Sequence, residues 1–352
     1  MSDPAYLEGL NDEQRAAVLH GRGPLLLLAG AGSGKTRVLT RRIAHLVQQG
    51  VRPWNILAVT FTNKAAGEMR ERVRALVGED GGRILVSTFH SACARFLRSD
   101  APRLGYTSSF VIYDDDDQAR LLKGILKELQ LDPKRYPPKL YLSRIDQAKN
   151  RLLGPEELMA SPMVGQLEQI MHLGEVFERY EKALAAANAF DFNDLVGRMV
   201  LLLERHEELR EQYRRRFTHL LVDEYQDTNH AQYRLIKALS GAPHDLCVVG
   251  DDDQSIYAFR GADIRNILDF ERDFPEVRTI RLERNYRSTG HILAVAGALV
   301  KHNRQRKDKT LWTAAPDGER VKLLVGVDED DEARKAWPRS GACWPPGGDR
   351  GT

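Results

Sequence analysis

A glycine-rich stretch near the N-terminus has the residue types needed to bind phosphate groups. Residues 29–36 read Ala-Gly-Ala-Gly-Ser-Gly-Lys-Thr and follow the apolar run at 25–28. Backbone N–H groups of such a loop, at the start of a helix, can cradle the phosphates of a nucleotide; Lys35 would reach the β- and γ-phosphates, and Thr36 would hold Mg²⁺. The usual pattern begins with glycine where this chain has Ala29, so a glycine turn that merely joins strand to helix is the alternative.

Paired carboxylates follow a second apolar run. Residues 220–222 are Leu-Leu-Val and lead directly into Asp223 and Glu224. Asp223 would bind the Mg²⁺ carried by Thr36, and Glu224 would orient or deprotonate the attacking water. Taken alone, the pair could equally be an acidic turn that caps the next helix. The phosphate-binding loop elsewhere in the chain favours the catalytic interpretation.

A third apolar run, at 246–249, leads through three aspartates to Gln254, whose amide could contact a γ-phosphate. Tyr257, Phe259 and Arg260 lie just beyond it. Two aromatic rings and an arginine on one turn could stack on bases and pair with a phosphate. The alternative is that both rings are ordinary core residues.

Phe61 ends another apolar run, at 56–61, and stands just before Thr62 and Asn63, either of which could cap the following helix. Its ring therefore has two interpretations. It could stack on a base, or it could be a staple residue that packs beside the helix cap.

The elements that must position these groups are short apolar strands separated by helical patterns. The strands are predicted at 25–28, 56–61, 84–88, 220–222 and 246–249. Continuous apolar strands that alternate with helices predict an α/β fold with a parallel sheet covered on both faces. Such sheets place ligands at the carboxyl ends of their strands, which is where each candidate site begins.

The pattern changes twice along the chain. From residue 110 to about 189 the strand pattern gives way to helical patterns, and the acidic run at 114–117 would cap the first helix there. A strand at Ile280, a helix from about Thr289 and a strand at 321–325 look like the opening of a second α/β domain. We therefore predict a first lobe at 1–109 and 190–278, a helical insertion at 110–189, the start of a second lobe at 279–330, and an aberrant, disordered tail at 331–352.

Composition limits the possible partners. The 352 residues include 52 basic and 50 acidic ones, so any binding of nucleic acid must be local. Three widely spaced cysteines argue against a zinc site or a disulfide framework and suit a reducing cytoplasm. The apolar runs are too short to span a membrane, and the N-terminus does not resemble an export signal.

Eight short motifs occur in the order seen in UvrD/Rep/PcrA-like superfamily 1 DNA helicases, which the chain resembles from residue 5 to about 330. They are LNDEQR at 10–15, AGAGSGKT at 29–36, TFTNKAA at 60–66, STFHS at 87–91, DFNDL at 191–195, DEYQDT at 223–228, DDDQSIY at 251–257 and NYRS at 285–288. The resemblance implies RecA-like lobes and an ATP-dependent 3′ to 5′ helicase of DNA repair or replication. It also implies ATP and Mg²⁺ as cofactors, single-stranded DNA and single/double-strand junctions as partners, repair proteins as further partners, and a cytoplasmic, nucleoid-associated protein. It leaves the oligomeric state open.

The resemblance also implies a role for each matching residue. At the nucleotide base, Gln14 would bind the adenine edge, and Arg37 and Tyr286 would sandwich the ring. The phosphates would be lined by the backbone of Ala31, Gly32, Ser33 and Gly34. The catalytic residues would be Lys35, Glu224, Gln254 and Arg287. For DNA, Thr62, Asn63, Thr88 and His90 would contact the phosphate backbone, while Phe61, Tyr257, Phe259 and Arg260 would form base pockets. Many relatives have Trp at the position of Phe259, so the stacking area here is smaller.

The C-terminal part departs from the family pattern. Family members continue well beyond this length, and from Lys335 the composition suits no packed element. A shift of reading frame near Arg334 would explain it, and an evolved short tail is the alternative. We expect the chain by itself not to unwind DNA. The other functions considered are a non-catalytic ATP- or DNA-binding fragment and the motor part of a helicase-nuclease.

Overall fold

The computed structural model describes residues 4–161, 171–241, 245–304 and 306–340. Its central sheet contains β1 (Leu25–Ala29), β2 (Ile56–Thr60), β3 (Leu85–Thr88), β6 (His219–Val222), β7 (Asp245–Gly250) and β8 (Arg278–Leu282). A separate pair contains β4 (Val111–Tyr113) and β5 (Ala189–Asp191). The central strands lie in the order β3-β2-β6-β7-β1-β8, and every pairing is parallel. The predicted α/β fold is therefore confirmed.

The helices precede, separate and follow the strands along the chain. They are α1 (Asp12–Val18), α2 (Lys35–Gln48), α3 (Asn63–Val77), α4 (Phe89–Asp100), α5 (Asp115–Glu128), α6 (Pro138–Asn150), α7 (Pro155–Ala160), α8 (Leu173–Ala186), α9 (Phe192–Arg205), α10 (Glu207–Arg216), α11 (His230–Leu239), α12 (Arg265–Leu268), α13 (Phe270–Asp273), α14 (Gly290–Val300) and α15 (Glu329–Ser340). Within the described ranges, no helix is both long and apolar enough to cross a membrane.

Helices cover both faces of the central sheet, which explains why β1 is apolar and buried at every position. In β1, Leu26 and Leu28 pack with α4, α9 and α11, whereas Leu25 and Leu27 pack with α1, α2 and α3. This alternation is the two-residue period of a strand. The two cores hold the sheet rigid, so the loops at the carboxyl ends of its strands start from fixed positions.

Helices α5 to α8 surround a third core, which includes Leu122, Tyr141 and Phe177. The predicted cap of α5 is confirmed, because the Asp114 carboxylate accepts a hydrogen bond from the N–H of Asp117. The strand β4 was not expected in this region. It has only three residues and pairs with β5 at the other end of the insertion, so no local periodicity reveals it.

The structure differs from the predicted start of a second lobe. Residues 278–282 form β8, which pairs with β1 at the edge of the first sheet and buries Ile280 and Leu282 there. The helix near Thr289 is present as α14. The strand predicted at 321–325 is absent from the described residues, and Val321, Leu323 and Val325 are exposed. A strand needs a hydrogen-bonded neighbour, and β-propensity alone does not supply one.

The predicted disordered tail is wrong for residues 331–340, which belong to α15. Four acidic residues lie in the first turn of α15, where they favour the helix N-terminus. The Asp328 carboxylate accepts a hydrogen bond from the N–H of Asp331, and Lys335 pairs with Asp331 at 2.7 Å. Residues 341–352 lie outside the described residues.

Candidate nucleotide and nucleic-acid site

The glycine loop connects the carboxyl end of β1 to α2 and has little free space around it. Gly32 and Gly34 adopt positive φ angles of 69° and 90°. A Cβ atom at Gly34 would lie 2.9 Å from the Gln14 amide nitrogen, and one at Gly32 would lie 2.7 Å from the Asn285 amide nitrogen. Ser33 donates its hydroxyl hydrogen to the Gly30 carbonyl at 2.7 Å. Both backbone angles and close neighbours therefore require glycine at these two positions.

Gln14 lies in α1, which begins with a reciprocal cap between Asn11 and Gln14. Its side-chain amide nitrogen donates to the Ser33 carbonyl at 2.8 Å, and the residue is buried. The structure thus brings Gln14 to the glycine loop. Its contact with adenine stays a prediction.

The loop meets the paired carboxylates because β1 and β6 are separated only by β7. The Lys35 ammonium lies 2.7 Å from the Glu224 carboxylate, and the Thr36 hydroxyl donates to Asp223 at 3.4 Å. Burial raises the pKa of Asp223 to about 6; the Glu224 carboxylate adds to the rise and the Lys35 ammonium opposes it. A hydroxyl beside a carboxylate is a donor set that fits Mg²⁺. Glu224 itself has a positive φ of 51°.

Gln226 connects this pair to the end of β7, a role that the sequence interpretation missed. Its amide nitrogen donates to Glu224 at 2.9 Å, and its amide oxygen accepts the N–H of Asp251 at 3.0 Å. Gln254 in turn donates to the Asp251 carboxylate. The only available signal was that Gln226 lies inside the acidic motif, two residues beyond Glu224.

Residues 285–287 approach the glycine loop from the end of β8. The Asn285 amide donates to the Ala31 carbonyl at 2.6 Å, and the Tyr286 N–H donates to the Gly32 carbonyl at 2.9 Å. Asn285 also accepts the N–H of Arg287 at 2.8 Å. Tyr286 is therefore held beside the loop by its own backbone, and Arg287 is held there through the Asn285 side chain.

The ring of Tyr286 is exposed, and the Arg284 guanidinium lies 4.9 Å from its centroid. Arg37, in the first turn of α2, donates to the Glu8 carbonyl at 3.3 Å. The proposed sandwich of a base between Arg37 and Tyr286 stays a prediction.

Two helices start at the carboxyl ends of β2 and β3, where DNA contacts are predicted. Thr62 caps α3 by accepting the N–H of Ala65 at 3.1 Å, and the first residue of that helix, Asn63, is exposed. Thr88 caps α4 by accepting the N–H of Ser91 at 3.2 Å. Helix N-termini favour phosphate oxygens, so the placement suits a nucleic-acid backbone.

His90 and Phe192 stack with their ring centroids 4.0 Å apart. Burial lowers the pKa of His90 to about 4, so its imidazole is neutral at physiological pH. Phe192 is 52% exposed, and sequence interpretation missed it as a candidate stacking residue although it lies inside the DFNDL motif. Phe61 is partly buried against the sheet core and meets Phe89 edge to face at 5.9 Å. Its packing role is therefore present, and its base contact stays a prediction.

The turn after Gln254 projects its rings from the surface. Phe259 is 75% exposed, Tyr257 is also exposed, and the Arg260 guanidinium lies 5.5 and 5.6 Å from the two ring centroids. The core interpretation is excluded for both rings. The turn is fixed to the acidic motif, because the N–H of Asp263 donates to the Thr228 carbonyl at 3.0 Å.

Comparison with known proteins identifies the family. Residues 10–275 match the UvrD/REP helicase N-terminal domain, and residues 280–337 match the UvrD-like helicase C-terminal domain. The chain belongs to the UvrD/Rep helicase family. It is 52% identical over 337 residues to "ATP-dependent DNA helicase UvrD1" of Mycobacterium tuberculosis (strain ATCC 25618 / H37Rv), and 50% identical over 329 residues to "ATP-dependent DNA helicase PcrA" of Bacillus subtilis (strain 168). Each match covers 93% of this chain but 44% of the relative, so the chain spans less than half of their length.

In this UvrD/Rep family chain, the DFNDL motif also anchors the helical insertion. The buried Lys149 ammonium, at the end of α6, lies 2.6 Å from Asp191, 3.0 Å from Asp194 and 2.6 Å from Glu181. These carboxylates raise the pKa of Lys149 well above its ordinary value although burial alone would lower it. The ion cluster fixes the start of α9, and with it the exposed ring of Phe192.

Proposed function

We propose that the chain carries the nucleotide site and part of the single-strand track of an ATP-dependent 3′ to 5′ DNA helicase that uses Mg²⁺. The observation that carries the proposal is the meeting of the glycine loop with the acidic pair: Lys35 pairs with Glu224, and the Thr36 hydroxyl donates to Asp223. Family membership and the printed names of the relatives support it. Polarity and a role at single/double-strand junctions follow from the family alone.

The contacts suggest how hydrolysis would proceed. Lys35 would exchange its ion pair with Glu224 for the β- and γ-phosphate oxygens. Glu224 would then be free to accept a proton from the water that attacks the γ-phosphorus, as the bond to the bridging oxygen breaks and ADP leaves with phosphate. Thr36 and Asp223 would hold Mg²⁺, which neutralises charge on the phosphates. Gln254 and Arg287 would contact the γ-phosphate.

The DNA track would run over the same edge of the sheet. Tyr257, Phe259 and Phe192 offer exposed rings for stacking, and Arg260 offers a cation for a phosphate. The caps Thr62 and Thr88 would receive the backbone. The link between Asp263 and Thr228 connects this track to the acidic motif, so a change at the nucleotide could reach the stacking turn.

A steady-state ATPase assay, with and without single-stranded DNA, tests the proposal. The unchanged chain should bind a fluorescent ATP analogue and hydrolyse ATP faster when DNA is present. Lys35→Ala is the control against a contaminating enzyme. Binding of both ligands without any hydrolysis would favour a non-catalytic ATP- and DNA-binding module instead.

A further inference from the structure

Three consecutive carboxylates at the end of β7 surround one buried lysine. The Lys309 ammonium lies 2.8 Å from Asp251 and 2.8 Å from Asp253, and it also pairs with Asp252. Its side chain is only 2% exposed. The carboxylates lie within 4.8 Å of one another, a spacing that would suit a cation, and the ammonium group fills that place.

The segment around Lys309, in the C-terminal part of the chain, contacts the three aspartates at further points. Arg306 pairs with Asp253 at 3.0 Å, and the backbone N–H of Lys307 donates to Asp252 at 2.7 Å. The Lys307 side chain points elsewhere, to Glu271 at 2.6 Å. Among the residues that the structure describes, Lys309 is thus the one lysine whose ammonium group contacts all three carboxylates.

A chain of contacts leads from Lys309 to the phosphate-binding lysine. Asp251 uses one carboxylate oxygen for Lys309 and the other for the amide of Gln254. The backbone N–H of Asp251 donates to Gln226, whose amide donates to Glu224, and Glu224 pairs with Lys35. Gln254 and Glu224 are both candidate groups for the γ-phosphate end of the site.

We propose that Lys309 is a positioning residue for the nucleotide site, which holds Asp251 so that Gln254 and Gln226 keep their orientation toward the γ-phosphate. Removing one partner of a buried ion pair leaves an uncompensated charge. Without Lys309, the three carboxylates would repel one another, and the Asp251 side chain would turn away. Gln254 would then lose the acceptor that orients it.

The same segment touches the glycine loop directly, which strengthens the connection. A Cβ atom at Gly30 would lie 2.2 Å from the Leu311 side chain, two residues beyond Lys309. The carbonyl of Trp312 accepts the N–H of Asn285 at 2.8 Å, and Asn285 donates to Ala31 in the loop. The segment matched to the C-terminal family domain therefore reaches the nucleotide site from two sides.

The inference rests on the proposed nucleotide site and predicts a loss of discrimination between nucleotides. The test measures the affinities of ATPγS and ADP by displacement of a fluorescent ADP analogue from the full chain. In Lys309→Met the preference for ATPγS over ADP should fall by about tenfold or more, as expected when a hydrogen bond to a charged group is lost, while ADP affinity changes by less than about twofold. The matched control is Lys307→Met, which removes an ion pair from the same segment and should keep the preference.

A second variant separates positioning from folding. Lys309→Met combined with Asp252→Asn restores the net charge of the cluster, and we expect thermal stability to recover while the nucleotide preference stays low. Recovery of both would show that Lys309 only balances charge, and an unchanged preference in Lys309→Met would likewise overturn the inference. If the unchanged chain bound neither nucleotide, the proposed function would fail and this inference with it.

Discussion

Replacing Phe259 by alanine should separate a stacking role from a packing role, because its ring is 75% exposed. Full burial of a phenylalanine side chain contributes about 1.5 to 3 kcal/mol, so the buried quarter of this ring contributes only about 0.5 kcal/mol to stability. Base stacking on an aromatic ring is worth about 1 to 3 kcal/mol. At about 1.4 kcal/mol per tenfold, Phe259→Ala should weaken single-stranded DNA binding by about 5- to 150-fold.

The assay is fluorescence anisotropy with a labelled oligothymidylate at fixed salt, accompanied by thermal unfolding of the same samples. Trp54→Ala is the matched control. Trp54 is also exposed, but it lies just before β2, at the amino edge of the sheet. Its replacement by alanine should therefore leave the affinity for DNA unchanged. If Phe259→Ala bound DNA as the unchanged chain does, or if the control lost as much affinity, the stacking assignment would be refuted.

Four further outcomes are expected. Lys35→Ala should abolish binding of a fluorescent ATP analogue, because it removes the cation placed at the phosphates; retained affinity would contradict the site. Glu224→Gln should bind that analogue nearly normally yet lose hydrolysis in the ATPase assay, since an amide cannot accept the proton; comparable turnover would leave Glu224 with a capping role only. Arg260→Ala should reduce the salt slope of DNA binding by about 1, the value for one phosphate contact, and an unchanged slope would make Arg260 structural. Lys149→Met should lower the free energy of unfolding by about 3 to 5 kcal/mol in urea titrations, because it leaves the buried Asp191 carboxylate without its ion-pair partner; a change below about 1 kcal/mol would contradict that account.

Sequence patterns predicted the features that depend on local order. The apolar runs located five of the six strands of the central sheet, because strands covered on both faces are largely apolar. The sixth, β8, was predicted as a strand but assigned to a second lobe. Asp114 was also correctly predicted as a helix cap, since a cap depends on neighbours within four residues. The glycine loop and the acidic pair were predicted to meet because both follow strands of one parallel sheet, and they do meet.

Features that depend on contacts between residues far apart in the sequence were not predicted. Nothing local distinguishes Ile280 as part of the first sheet, since its assignment depends on the free edge of β1. The apolar residues at 321–325 have strand character but no strand partner among the described residues. Lys309 looks like any surface lysine until the fold brings it to three aspartates far away in sequence. Its role follows from tertiary contacts alone.

The backbone of Glu224 suggests a conflict between stability and reactivity. Its φ angle is positive, at 51°, a backbone conformation that glycine and asparagine adopt at a lower cost in free energy than residues with long side chains. Such strain costs about 1 to 3 kcal/mol and persists only where the surrounding structure holds it in place. Folding alone would therefore favour a smaller residue at this position. The carboxylate stands there against the preference of its own backbone. With the proposed role of Glu224 as the base, a gain in stability from a smaller residue at position 224 would come at the expense of turnover.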